Sequence, residues 1–173
     1  MSLGGGGPIT NWNKIVPIRL RLLMWRINWD RIPTKRNLVR RGVTLENESC
    51  PLCNDAPETT VHIFVECAKS KEVRYVINAW RKVFAIDCSG LEDIIIPATS
   101  ANKRAELIKD VILHAYIGAI WRNRNDIVFN NTTFNVARIA NDVQADAFIW
   151  IRFRSNFGIS LSWLDWCCNS FSV

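Results

Sequence analysis

Histidine, methionine and tyrosine occur only twice each in these 173 residues, and uncharged apolar runs are short. No stretch reaches the roughly 18 to 20 apolar residues that a membrane-spanning helix needs. The longest candidate, Val111 to Trp121, contains His114. The opening MSLGGGGP carries no charged region and no apolar core, which excludes a secretory signal, and residues 1–13 are expected to form a flexible leader outside the fold. With the second histidine in a core-like helical stretch, no Ser/His/Asp or Cys/His arrangement stands out, so hydrolytic chemistry has no candidate machinery. Acidic residues are scarce at the start of the chain. Residues 1–49 hold only Asp30, Glu46 and Glu48 against nine Lys/Arg, a difference that accounts for the whole formal charge of +6, while residues 50–173 balance at thirteen each.

What is present is a compact set of soft donors. Cys50-Pro51-Leu52-Cys53 is followed by His62 and Cys67, a C-x2-C-x8-H-x4-C run. Two cysteines separated by two residues place both sulfurs on one side of a tight turn, Pro51 favours that turn, and a second pair about ten residues downstream closes a tetrahedron. Such a set suits one Zn²⁺. Four protein ligands leave no open position for water or substrate, so the site is expected to be structural. Separate buried thiols are the alternative, but they would not require the CxxC spacing. Three further cysteines, Cys88 and the adjacent Cys167 and Cys168, show no ligand spacing, with or without His114. They read as buried thiols beside a core histidine, and the whole cysteine pattern fits a reducing compartment, intracellular and either nuclear or cytoplasmic.

The chain reads as mainly α, a small CCHC zinc-held lobe packed with an irregular helical bundle. Ile15, Ile18, Leu22, Trp25 and Trp29 recur at helical spacing, which predicts a helix that buries tryptophan on one side and presents Arg19 and Arg26 on another. Regular spacing favours a core role for these tryptophans over base stacking. Pro33 ends this helix, Thr34 is placed to cap a second through Val39, and Gly42 stops it. Glu58 to Phe64 is expected to be a helical turn carrying His62. Residues five apart on an α-helix point about 140° apart, so His62 and Cys67 can share a metal only if the helix ends or bends between them. Further helices are expected over 69–84, with Val73, Val76, Ile77, Trp80 and Phe84 inward, over 102–129 with His114 as a core residue, and over 134–155 capped by Thr133. The domain plan is a leader (1–13), a basic helical zinc-binding domain (14–85), a linker (86–101) that includes Pro97, and a helical hairpin with an aromatic tail (102–173).

Leu22 to Trp25-Arg26, Arg31-Ile32-Pro33-Thr34, Asn37-Leu38, Arg41-Gly42-Val43, the CPLC turn, Glu58-Thr59, His62-Ile63-Phe64 and Cys67 follow one another in an order and spacing that resemble the zinc-binding domain after the polymerase of plant non-LTR (LINE-type) retroelement reverse transcriptases. Ile120 to Asn130 looks like the segment that follows that domain. The resemblance implies a non-catalytic module with Cys50, Cys53, His62 and Cys67 as metal ligands, one that helps a polymerase hold RNA or DNA. The chain has no Tyr/Phe-x-Asp-Asp motif and no spaced acidic set of a ribonuclease H, so catalysis would belong to a polymerase region outside it. Three thiolates and a neutral imidazole leave the zinc centre at net −1, so phosphate would be drawn by the basic residues Arg19, Arg26, Arg31, Lys35, Arg36, Arg40 and Arg41, without sequence reading. A bland solvated face is the competing reading of those charges. A reverse transcriptase region or a host protein would be further partners, and a domesticated fragment serving as a protein-interaction scaffold is the alternative function.

Overall fold

The computed structural model describes residues 13–80, 86, 90–95, 102–155 and 162–168. The leader over 1–12, Phe84, Cys88 and Pro97 lie outside the described residues. Within them the chain forms helices α1 (Ile18–Asn28), α2 (Lys35–Arg40), α3 (Ala68–Trp80), α4 (Glu92–Ile95), α5 (Lys103–Asn130), α6 (Val136–Arg154) and α7 (Trp163–Cys167), with no strand and only an isolated bridge between Ser49 and Pro57. No helix among the described residues is long and apolar enough to cross a membrane.

The mainly helical expectation holds, and α5 is its axis. Its residues from Val111 to Ile120 are buried all round, because α6 and α1 pack against it and the π-turn over His62–Glu66 touches it as well. Helix α3 in turn lies on α6. His114 is a satisfied core histidine, its Nδ1 bonded to the Asp110 carbonyl at 2.9 Å, and Asn13 donates to the Asp110 carboxylate at 2.8 Å. The aromatic tail folds back as expected. Trp166 is fully buried, its indole N–H donates to the Gln144 carbonyl at 2.9 Å, and it meets Trp80 edge-on with centroids 5.1 Å apart.

Helix ends follow local chemistry. Thr34 caps α2 through Asn37 N–H, and Asn102 caps α5 through the N–H groups of Arg104 and Ala105. The last long helix starts at Val136 under Asn135, whose side chain accepts from Arg138 N–H, and not under Thr133. An Asn two residues closer to the amphipathic run competes successfully because a β-branched Thr is the weaker cap. Gly42, at φ +85°, closes α2 in a left-handed turn in which Val43 N–H reaches the Leu38 carbonyl and Gly42 N–H the Val39 carbonyl.

The inward face of α1 differs from expectation. Met24 and Ile27 are buried and Leu20 and Leu23 partly so, whereas Ile18, Leu22 and Trp29 are exposed. Ile15 is buried but precedes the helix. The sequence IRLRLLMWRIN is apolar on two sides, so periodicity alone leaves the choice open. Packing against α5 makes it, and Gly118 lets the Leu20 side chain sit close there, where a Cβ would lie 2.7 Å from Leu20 Cδ2. On α3, Val76 is partly exposed while Ser70 and Arg74 are buried. Cys167 and Cys168 are not buried thiols: the first is half-buried and the second exposed, at the end of the short α7.

Candidate metal centre

Cys50 leaves the bridge at Ser49 and enters a turn closed by Asn54 N–H to the Cys50 carbonyl at 2.8 Å, with Asn54 in the left-handed region at φ 61°. Cys50 N–H is held by the Ala56 carbonyl at 2.7 Å. His62 and Cys67 come from the other side through a π-turn, in which Cys67 N–H bonds the His62 carbonyl at 2.8 Å, five residues back. The wider π-turn is the bend that the α-helical geometry demanded. It brings residues five apart to one side.

That distortion frees carbonyls that an α-helix would use, and the chain supplies donors for them. Ser70 Oγ bonds the Ile63 carbonyl at 2.6 Å, Arg74 donates to the Phe64 and Val65 carbonyls at 2.5 and 2.7 Å, and Tyr116 O–H donates to the Phe64 carbonyl at 2.8 Å. Burying a guanidinium here satisfies otherwise orphaned acceptors. Ile63, Phe64 and Val65 meanwhile point into the core, Phe64 lying 6.4 Å from Trp121.

The four donor atoms of Cys50, Cys53, His62 and Cys67 lie within 4.8 Å of one another. Sulfurs around a tetrahedral zinc with bonds of about 2.3 Å sit about 3.8 Å apart, so the cluster has the right size. His62 Nε2 lies 3.3 Å from Cys53 Sγ and is the nitrogen aimed at the centre, while its Nδ1 faces the Glu66 carboxylate at 3.9 Å. Electrostatics favour a cation as well. The hydrogen bond from Cys50 draws the Cys67 thiol down to about 5, aided by the N–H groups of Ser70 and Lys69. The same bond, and then burial, push Cys50 up. Two thiolates so close to each other repel, and a divalent ion is what lets both ionise. The residues fit one structural zinc, fully ligated by the protein.

Residues 9–73 match the family described as zinc-binding in reverse transcriptase. All four donors and helices α1 and α2 fall inside the matched residues, so the resemblance to a reverse transcriptase zinc-binding domain is supported over this part of the chain, and the cluster fits a single structural zinc. No curated protein and no solved structure matches the chain.

Two supports of the zinc-binding segment escaped sequence reasoning. Glu58, fully buried, forms a two-pronged ion pair with Arg124 of α5 at 2.6 and 2.8 Å and also accepts from Lys35 N–H at 2.7 Å, so one carboxylate joins the metal turn, α2 and the bundle. The Arg124 guanidinium lies over the Trp121 ring at 5.1 Å. A signal existed: Arg124 follows Ile117 and Ile120 at helical spacing, a charge on an inward face. The second support is Asp30. At φ 48° it closes α1, with its N–H on the Ile27 carbonyl and Arg31 N–H on the Arg26 carbonyl, the position usually given to glycine. Its carboxylate accepts from Thr60 Oγ1, Asn37 Nδ2 and Arg40 at 2.5, 2.9 and 2.8 Å.

Burial alone would raise the Asp30 pKa, but the bonds from Thr60, Asn37 and Arg40 together outweigh it and hold it below the ordinary 3.8. A carboxylate with a depressed folded pKa contributes stability that is present above its unfolded value, about 3.9, and lost as pH falls through the folded value. Asp30→Asn keeps a residue that tolerates the left-handed conformation. It is expected to reduce stability at pH 7 by about 1 kcal/mol, discounted for partial exposure. Denaturant titrations of both proteins should converge below pH 4; an equal deficit at pH 3 would show that charge is not the cause.

The seven basic residues are not one patch. Arg19 and Arg26 are exposed on α1, where they border a groove of about 520 Å³ against Trp121, Arg122 and Asp126 of α5. Arg31, Arg40 and Arg41 surround a second cleft with Trp29. Lys35 reaches Asn47 at 2.6 Å and Arg36 pairs with Glu48 at 2.8 Å. Arg40 pairs with Asp30 and so takes part in the fold.

Proposed function

We propose that this chain is a non-catalytic nucleic-acid-binding module of a plant LINE-type reverse transcriptase, acting within a nucleus or cytoplasm. The observation that carries the reading is the placement of Arg19 and Arg26 seven residues apart on the exposed side of α1, with no ion-pair partner among the described residues, in a chain whose metal centre has four protein ligands and so no open position for catalysis. Guanidinium groups so placed suit phosphates, and the net −1 expected of a Cys₃His zinc centre gives the metal no part in that attraction. RNA or DNA would be bound without sequence preference.

The test is a titration of the zinc-loaded protein with an RNA hairpin, single-stranded RNA and duplex DNA at several salt concentrations. Binding should weaken steeply with salt. Arg19→Ala with Arg26→Ala should lower the slope of log K against log salt by about 1.4 for single strands, about 0.7 for each lost phosphate contact. An unchanged slope with unchanged affinity would return these arginines to a solvated face. This pair is the sharper variant because, unlike Arg40, neither residue is tied into the fold.

The scaffold reading has one observation in its favour. Helices α6 and α7 leave Ile149, Phe153, Trp163 and Leu164 exposed, a composition suited to a protein partner. A chain that binds no nucleic acid even at low salt, yet loses a captured host partner when Phe153 and Leu164 are replaced by serine, would favour it.

A further inference from the structure

Trp29 is 44% exposed in a chain that buries Trp166 completely. Its surroundings are polar and basic. Together with Asp30, Arg31, Asn37, Arg40 and Arg41 it lines a cleft of about 490 Å³, within the range of small-ligand sites. Three guanidinium groups face one carboxylate there, which leaves two net positive charges. The Arg31 guanidinium already lies 5.8 Å from the indole centroid, over the ring. Such a cleft repels an apolar protein surface and attracts an anion with a flat aromatic part.

The platform is also rigid. Trp29 is the C-cap of α1, and the turn after it is fixed by Asp30 N–H on the Ile27 carbonyl at 2.9 Å and Arg31 N–H on the Arg26 carbonyl at 2.7 Å. The Asp30 side chain is tied to α2 through Asn37 and Arg40 and to the metal lobe through Thr60. Arg41 reaches back to the Arg31 carbonyl at 2.9 Å, which spans the cleft with a guanidinium whose other donors remain available. An indole held this way loses little freedom when a base stacks on it.

Resting on the nucleic-acid reading above, we infer that Trp29 is a stacking platform for an unpaired base of a single-stranded polynucleotide, with Arg31 and Arg41 taking its phosphates. Arg40 acts as a positioning residue through Asp30. Stacking tolerates any base because each has a π-face, so the site adds preference for single strands without adding sequence preference. A duplex, whose bases are already stacked, gains only the phosphate contacts.

The experiment measures fluorescence anisotropy of labelled oligouridylate, oligothymidylate, an abasic oligomer of equal length and duplex DNA on the zinc-loaded full chain, wild type, Trp29→Ala and Trp29→Phe. Trp29→Ala should lose about tenfold in affinity for both base-bearing single strands, keep the salt slope, and match wild type on the abasic strand and the duplex. Trp29→Phe should retain most of the affinity, which separates stacking from any loss of fold. A difference between the oligouridylate and oligothymidylate arms tells RNA from DNA as the preferred source. Equal affinity of wild type and Trp29→Ala for the single strands would overturn the platform while leaving the phosphate-binding module intact. Failure of the wild type to bind any of the four would overturn both.

Discussion

Replacing Cys53 by serine, or stripping the metal with a chelator, should destabilise the protein by about 5 kcal/mol or more, a fall in melting temperature of about 10–20 °C. Cys53 is the least buried of the three cysteine ligands, so serine there strands no deeply buried hydroxyl and the loss reports on the metal itself. Without a cation, Cys50 and Cys67 cannot both remain thiolates at short range, and four donors crowd one another with nothing to pull them together. The damage should spread beyond the turn. The segment that carries His62 to Cys67 also places Ile63, Phe64 and Val65 in the core, so loosening the metal corner unseats the packing of Phe64 near Trp121. Hydrogen exchange should show protection lost over residues 43–70 first, with α5 and α6 following at higher denaturant. An unchanged melting profile with zinc absent would refute a structural role for the metal.

Arg124→Met should cost about 3–5 kcal/mol although Arg124 touches no metal ligand. The substitution leaves Glu58 fully buried with a charge and only the Lys35 N–H as a remaining described partner. An ion pair of this kind need not exceed a well-packed apolar pair in stability, but removing one partner strands the other. Arg124→Met together with Glu58→Met should therefore cost less than the sum of the two single substitutions, and a denaturant double-mutant cycle measures the difference. Zinc content should remain at one per chain in all variants, which separates this effect from the first. Additive losses would mean that the pair does not act as the bridge between lobe and bundle.

Local chemistry made much of the site readable in advance. The CxxC turn and the following His and Cys are chemically unusual enough to identify a metal site without any knowledge of the fold. The incompatibility of residues five apart with one face of an α-helix required a bend between His62 and Cys67, and the π-turn is that bend. What could not be read was how the bend is tolerated, because the donors come from α3 and α5. Arg74 and Tyr116 are 10 and 52 residues from the Phe64 carbonyl they share.

The first helix shows the opposite case. Its apolar residues lie on two sides, and a helical period says only that a helix forms, not which side faces inward. The outcome moved Trp29 from the expected core to the rim of a basic cleft, since Met24 and Ile27 hold the buried side of α1, which packs on α5. The basic residues divide in a similar way. Sequence placed seven cations near one another, but Arg40 pairs with Asp30, Arg36 with Glu48 and Lys35 bonds Asn47, while Arg19, Arg26, Arg31 and Arg41 have no ion pair among the described residues.

Local sequence sufficed for the four candidate metal ligands, the long helices, and the Thr34 cap and Gly42 stop of α2, because these depend on contacts within a few residues. Only the tertiary structure decided the buried face of α1, the burial of Glu58 with Arg124, and the supports of the π-turn. Those depend on which surfaces meet, and charges or tryptophans separated by tens of residues have no local pattern that says whether they will end in the interior or in water.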